Sequence, residues 1–384
     1  MTFEFATAAR ILFGRGTLSK VAPLAAEMGS HAIFVTGSSI DRVGSLAQQL
    51  MDHGLKLTQF SVVGEPTAKV ALGGVQKARI SGCDIVIAVG GGSVIDTGKV
   101  IAALMTNSGE LMDYLEVIGA GQPLVHHPAP CIAIPTTAGT GTEVTCNSVL
   151  SSPEHGVKVS LRSPLMFPRL AVVDPVLTYS MPPAITAVTG LDALTQLLEA
   201  FVSNRANPMT DNLCREGLHR AGRSLQRAYQ DGSIVTARED MCIASLFGGI
   251  ALANAKLGAV HGIAGPLGGM FPAAHGALCA RLLPCVMEAN VTALRVRAPD
   301  SPALPRYDEI ARILTGAFAA TAEDGIKWVG KLCKDLKSPA LAEHGLKESD
   351  IPVVVEKSQK ASSMQGNPIK LTDEELNGIL HAAI

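Results

Sequence analysis

The chain has 384 residues, 47% of them apolar and 17% charged, with a formal net charge of −2. So even a balance gives no electrostatic reason to expect nucleic acid or a membrane surface and points to a small-molecule partner. The length exceeds what one hydrophobic core usually serves, which predicts two domains with a ligand cleft between them.

The N-terminal run MTFEFATAARILFG carries Glu4 and no basic stretch ahead of an apolar core, so neither a signal nor a transit peptide is expected. From there to about Asp174, strand and helix alternate. His31–Thr36 (HAIFVT) and Asp84–Val89 (DIVIAV) are short β-branched runs bounded by turn residues, the pattern of buried parallel strands. Helices are read at Val43–Asp52 and Val70–Ile80, and further strands at Leu55–Val62, Cys131–Ile134 and Leu170–Val173. The economical architecture is a doubly wound, Rossmann-like α/β domain over residues 1–183. Beyond about Pro183 the strands stop, and Ala184–Ser203, Pro208–Gln230, Val235–Ile263 and Tyr307–Leu336 carry helical spacing, which predicts an all-α domain over residues 184–384.

The most apolar stretch, about Ile243–Leu267, is interrupted by Asn254, Lys256 and His261 and reads as a buried helix, not a membrane span. APDSPALP at Ala298–Pro305 reads as one surface connection. The eight cysteines, Cys83, Cys131, Cys146, Cys214, Cys242, Cys279, Cys285 and Cys333, form no CxxC. Most sit in apolar or helical contexts that suggest small buried side chains, and reduced thiols in a cytoplasmic protein are expected. His126-His127 sits in GQPLVHHPAP with no carboxylate close by and reads as loop.

Two segments carry chemistry. Directly after Asp84–Val89 come Gly90, Gly91, Gly92 and Ser93, and then Val94–Leu104 with helical spacing. A strand, a glycine turn and a helix start present free N–H groups at the positive end of a helix dipole, which suits a phosphate. A tight turn without a ligand is the alternative, and three successive glycines in this setting favour the phosphate. The run is neither GxxxxGK[ST] nor GxGxxG. The second segment, Pro135–Glu143 (PTTAGTGTE), follows the strand Cys131–Ile134. Its Thr136, Thr137 and Thr140 offer donors to a ribose or phosphate, and a Thr-rich turn explains the run equally well.

Together these segments closely resemble the iron-containing, or group III, alcohol dehydrogenase family. The likeness continues in order through Glu65-Pro66-Thr67, Asp174-Pro175, Gly190-Leu191-Asp192-Ala193-Leu194-Thr195, Glu199-Ala200, His261-Gly262, Pro266-Leu267-Gly268-Gly269, His275-Gly276 and Asn367-Pro368. The resemblance implies an N-terminal dinucleotide-binding domain, a helical metal-binding domain, a nicotinamide between them and a homodimer. It implies NAD(P)-dependent hydride transfer between a small alcohol and its aldehyde or ketone. Asp192, His261 and His275 are then both the metal ligands, for Fe2+ or Zn2+, and the catalytic residues that polarise the substrate oxygen. Gly90, Gly91, Gly92, Ser93, Asp96, Thr136, Thr137 and Thr140 are placed with the cofactor.

This chain departs from the family at two positions. Gln196 stands where the family usually has a fourth, histidine ligand. An amide oxygen is a weak, hard ligand, so metal affinity is expected to fall, while one carboxylate and two imidazoles remain a sufficient catalytic set. A purely hydrogen-bonded polar cluster is the alternative. Gly265 stands where many members have another histidine near the nicotinamide, which removes a candidate proton relay and predicts a substrate bulkier or more polar than ethanol.

Lys158 matches a family lysine near the nicotinamide, in a loose register that a solvated surface lysine fits as well. The first βα turn, with Gly37 and Ser38 placed against the cofactor ahead of Ser39, has no acidic residue to repel a 2′-phosphate, so NAD and NADP are both acceptable. The competing readings are a metal-independent carbonyl reductase of maleylacetate-reductase type, a dehydroquinate-synthase-like lyase and a cofactor-binding protein without turnover. Ala184–Ala200 has none of the basic residues a phosphorylated lyase substrate calls for.

Overall fold

The computed structural model describes residues 2–38 and 44–384. The chain divides into two compact units. The α/β unit comprises Thr7–Thr137 and Gly141–Ser180, and the helical unit comprises the N-terminal stretch ending at Ala6, Ala138–Thr140 and Met181–Ile384. The sequence reading placed one cut at residue 183. The short excursions have local causes. Asn254 accepts from Ala6 N (2.7 Å) and donates to Ala6 O (2.8 Å), while Thr140 O accepts from Gln196 (3.2 Å).

In the α/β unit the order is β1 (Ile11–Phe13), α1 (Val21–Ala26), β2 (His31–Thr36), α2 (Gly44–Asp52), β3 (Lys56–Ser61), α3 (Ala68–Ser81), β4 (Ile85–Gly90), α4 (Gly92–Thr106), α5 (Leu111–Tyr114), β5 (Cys131–Pro135), β6 (Asn147–Ser152), β7 (Val157–Arg162) and β8 (Leu170–Val173). Six strands form a parallel sheet in the order β1-β8-β5-β4-β2-β3. Every residue of β2 and β4 is buried. Their side chains alternate between two cores. Ile33, Val35, Val86 and Ala88 pack with α3 and α4, whereas Ala32, Phe34, Ile85 and Ile87 pack with α1 and α2. Helices therefore cover both faces, as the continuous apolar strands require.

The strands read from the sequence recur within a residue or two of their limits. Ser39, and Val43 at the start of the expected second helix, lie outside the described residues. The antiparallel hairpin β6–β7 is an addition, since its first strand, NSVLSS, is mostly polar and gives little hydrophobic signal.

The helical unit contains α6 (Pro183–Val202), α7 (Pro208–Gln230), α8 (Val235–Ala255), α9 (Ala259–Met270), α10 (His275–Arg297), α11 (Ala303–Thr315), α12 (Ala322–Asp335), α13 (Ile351–Lys360) and α14 (Asp373–Ala383). Two expected helices are each divided. Val235–Ile263 breaks at Lys256, whose φ of 61° ends α8, and α9 leaves at 99° to it. Tyr307–Leu336 breaks at Gly316, a left-handed C-cap with φ 71°. By length and composition α6 and α10 are apolar enough to cross a membrane, as α8 and α9 are if taken as one bent span. The apolar windows of α6 and α10 are 83% and 67% buried inside the protein.

One buried network fixes the loop after β5 onto α4. The Lys99 ammonium, 1% exposed, donates to Thr142 O (2.9 Å), Thr142 Oγ1 (2.5 Å), Thr145 Oγ1 (3.0 Å) and Asn147 O, and lies 3.3 Å from Asp96 Oδ1. Asp96 also accepts from Thr142 Oγ1 and, through Oδ2, from Val149 N (3.1 Å). Removing the cation leaves a buried carboxylate uncompensated. Lys99→Met is expected to lower the unfolding free energy by about 3–5 kcal/mol, measured by urea titration, and a loss below ~1 kcal/mol would show the network to be dispensable.

Candidate functional site

In the α/β unit, β4 runs into the glycine run. Gly91 is the extended N-cap of α4, and no side chain caps this helix start. Val94 N already donates to Gly91 O (3.1 Å), so the N–H groups of Gly92 and Ser93 are those the first turn offers to another acceptor. Gly90 has a packing reason to lack a side chain, because an added Cβ would lie 2.5 Å from Val94 Cγ2. Thr136 N donates to Gly90 O (2.9 Å), and Thr137 lies 3.6 Å from the Cβ position of Gly91, so the start of the threonine loop stands beside the glycine turn. Gly37 follows β2, where its carbonyl accepts from Ser61 Oγ (3.4 Å), and its Cβ position is 3.9 Å from Val94. Ser38 is exposed. Gly37, Gly90–Ser93, Thr136 and Thr137 are thus gathered at the carboxyl ends of β2, β4 and β5.

Two residues read as cofactor contacts have other occupations. Asp96 points inward, with both carboxylate oxygens engaged by Thr142, Val149 N and Lys99. Lys158 lies on β7 and pairs with Glu65 at 2.8 Å, its side chain only 8% exposed, so it is neither a solvated lysine nor an unpaired cation. The Glu65-Pro66-Thr67 turn receives the same hairpin through Ser151 N→Pro66 O (2.8 Å).

In the helical unit, Asp192, Gln196 and Glu199 share one face of α6 by their spacing, His261 stands in the first turn of α9, and His275 opens α10 with Cys279 one turn later. Close backbone approach brings these elements together. A Cβ at Gly276 would lie 2.2 Å from Val188 O, so α10 begins directly against the α6 backbone. Gly258, the N-cap of α9, has no side chain to cap that helix. Glu199 does it instead, accepting from Val260 N (2.6 Å) and from His261 Nδ1 (2.6 Å), a favourable place for a carboxylate. With Nδ1–H committed to Glu199, His261 presents Nε2 to the other side.

There Nε2 lies 3.3 Å from Asp192 Oδ1 and 3.9 Å from Cys279 Sγ, while His275 Nε2 lies 3.9 Å from Asp192 Oδ1 and 3.6 Å from Cys279 Sγ. All four donor atoms are within 4.8 Å of one another. Asp192 is 2% exposed, yet its Oδ1 has no hydrogen-bond partner. Ligands at about 2.0–2.3 Å around a tetrahedral ion stand roughly 3.3–3.8 Å apart, so the spacing and the orphaned oxygen fit a divalent metal.

The electrostatics agree. Burial works against charge on Asp192, but His261, 3.3 Å away, and His275 outweigh it and hold the carboxyl below its ordinary range. Burial likewise disfavours the imidazolium of His261, yet Cys279, Asp192 and Glu199 raise that group well above its usual value; His275 is raised by Cys279 and Asp192. Burial opposes the Cys279 thiolate, and the two histidines reverse the sign and lower it. The cluster wants positive charge, which either imidazole protons or a metal ion supplies.

Gln196, the doubtful fourth ligand of the sequence reading, is turned with its amide nitrogen toward the cluster. Its amide nitrogen, which cannot ligate, faces Asp192 Oδ2 at 3.5 Å and donates to Thr140 O. Its Oε1 is unpartnered and lies 3.1 Å from the Cβ position of Gly248. Cys279 and Glu199 were missed as site residues. The i, i+4 spacing from His275 was the available signal for the first, and the i, i+7 spacing from Asp192 for the second. At Gly265 an added Cβ meets nothing within 4 Å, the open space expected there.

Comparison with known proteins decides the family. A family model described as iron-containing alcohol dehydrogenase matches residues 8–175, and one described as Fe-containing alcohol dehydrogenase family, C-terminal, matches residues 186–384. The chain belongs to the iron-containing alcohol dehydrogenase family. It is 34% identical over 378 residues to alcohol dehydrogenase 4 of Saccharomyces cerevisiae, covering 97% of this chain and 96% of that one. The crystal structure of 1,3-propanediol oxidoreductase matches with a TM-score of 0.92 at 32% identity over 100% of both chains. Sulfoacetaldehyde reductase from Bifidobacterium kashiwanohense, in complex with NAD+, matches with a TM-score of 0.87 at 30% identity over 100% of this chain and 99% of that one. The protein is accordingly an alcohol and aldehyde oxidoreductase of this iron-containing alcohol dehydrogenase family.

The packing that builds the metal cluster predicts opposite outcomes at two glycines. Gly276→Ala forces α10 off α6 and is expected to cost about 1–3 kcal/mol. Gly265→Ala fills open space within α9 and is expected to stabilise by about 0.5–1 kcal/mol through helix propensity. Thermal unfolding of both variants checks this, and equal effects at the two positions would contradict the packing described.

Proposed function

We propose that this chain interconverts a small alcohol and its aldehyde or ketone with NAD or NADP as the hydride carrier and one divalent metal, zinc or iron, held by Asp192, His261 and His275. The observation that carries the reading is the buried, unpartnered Asp192 Oδ1 facing two imidazole nitrogens. The bound pair supplies a hydride acceptor or donor at the nicotinamide and a Lewis acid that polarises the substrate oxygen and lowers the alcohol's pKa.

The chain's own residues do the rest. The uncapped start of α4, with Gly90, Gly91, Gly92 and Ser93, receives the diphosphate, and the Thr136 and Thr137 hydroxyls beside it donate to the dinucleotide. Glu199 holds the proton on His261 Nδ1 and so keeps Nε2 free to ligate, while the Gln196 amide supports Asp192 from the side. Thr140 also supplies the carbonyl that anchors Gln196. Gly37 and Ser38 put no carboxylate at the end of β2, so a 2′-phosphate is tolerated there. The open space at Gly265 leaves room for a substrate larger than ethanol. A homodimer in the cytoplasm completes the reading.

Three measurements test this. Purified enzyme with a panel of short alcohols is expected to form NAD(P)H in stoichiometric amount, to lose the activity on chelation and to regain it with added Zn2+ or Fe2+. Full turnover in demonstrably metal-free protein would support a metal-independent carbonyl reductase instead, and turnover without net NAD(P)H would support a lyase. Initial rates with NADH and NADPH are expected to lie within about a hundredfold of one another, and a preference for NADH of several hundredfold contradicts the role given to Gly37. Glu199→Gln is expected to weaken metal binding by about 10–100-fold, read by competition with a chromophoric chelator. Unchanged affinity in that variant would remove Glu199 from the centre.

A further inference from the structure

We propose that the Cys279 thiolate is the fourth protein ligand of the metal centre, which makes it an Asp192, His261, His275 and Cys279 set with a stronger preference for zinc over iron than nitrogen and oxygen donors alone would give. The proposal rests on the metal centre proposed above and adds to it a ligand of different chemistry. Cys279 is fully buried on α10, one turn beyond His275, with Sγ 3.6 Å from His275 Nε2 and 3.9 Å from His261 Nε2. Those two nitrogens also face Asp192 Oδ1, so sulfur, oxygen and both nitrogens surround one point from α6, α9 and α10. Among the described residues this is the one group of histidine, cysteine and carboxylate donors close enough to share an ion.

The other cysteines differ in their surroundings. Cys333 Sγ donates to Ala280 O (3.2 Å) and Cys285 Sγ to Arg281 O (3.9 Å), each with a main-chain carbonyl as acceptor. The Gln196 amide nitrogen is turned to Asp192 and Thr140, and its Oε1 to Gly248. Metal binding would form one metal–sulfur bond and release the thiol proton to solvent. Thiolate is a soft donor, which strengthens binding of zinc relative to Fe2+.

The test uses the whole enzyme with zinc or cobalt alone. X-ray absorption of the zinc-loaded wild type is expected to show one sulfur at about 2.3 Å beside nitrogen and oxygen at about 2.0–2.1 Å. The Co2+-loaded wild type is expected to show a thiolate-to-cobalt charge-transfer band, and Cys279→Ser to bind Co2+ without it. Cys279→Ser is also expected to lose at least about tenfold in its preference for Zn2+ over Fe2+ under anaerobic competition; the drop is diagnostic because zinc outranks Fe2+ at most such sites. One ion bound through nitrogen and oxygen only would overturn the proposal while leaving the centre intact, and so would a charge-transfer band that persists in Cys279→Ser. Failure of the wild type to bind any metal would overturn the centre, and the proposal with it. The absorption measurement needs no variant, so it decides even if the serine protein folds poorly.

Discussion

A carboxylate in a dry helical core must be matched by charge, and Asp192 is matched by a cluster that is incomplete without a cation. Its Oδ1 has no hydrogen bond, and it lies 3.3 Å from Nε2 of His261 and 3.9 Å from Nε2 of His275. An isolated buried carboxylate costs several kcal/mol, so the arrangement persists only if protons on the imidazoles or a metal ion supply the compensating charge. Much of the surrounding architecture serves to hold this geometry. Gly276 allows α10 to start against the backbone of α6, and Glu199 reaches from α6 to cap α9 and orient His261. The break at Lys256 turns α9 by 99° and separates it from α8.

The α/β unit obeys a different constraint, the need to bury both faces of a parallel sheet. That constraint writes itself into the sequence as continuous apolar runs, which is why β2, β4, β5 and β8 were legible almost to the residue. The glycine turn was legible for a similar reason, since a strand, three glycines and a helix have few other uses. Elsewhere the signals were weak or shared. The hairpin β6–β7 is half polar and is held by register with its partner and by the bridge to Thr67, neither of which leaves a local pattern. The breaks at Lys256 and Gly316 depend on left-handed φ values, and only the second has the residue that announces one.

The site was legible where its residues sit in recognisable motifs. Asp192, His261 and His275 were found through motif resemblance, and the structure brings them together. Cys279 was read with the other cysteines as a small side chain; it is buried and free as that reading expects, and the structure adds its proximity to two imidazoles. Asp96 and Lys158 were assigned to the cofactor, yet each is neutralised within its own unit, by Lys99 and Glu65 respectively. The departure at Gln196 therefore has a different meaning from simple ligand loss. The amide becomes a support for Asp192, and the donor it lacks stands across the cluster on α10.

The central claim is that the helical unit carries one specific divalent-metal site. Equilibrium dialysis of chelator-treated protein against Zn2+, repeated with Asp192→Ala, tests it most directly. The account predicts one tightly bound ion per wild-type chain, a rise in melting temperature on binding, and loss of both in the variant. Absence of saturable binding to the wild type, or equal binding by Asp192→Ala, would contradict it.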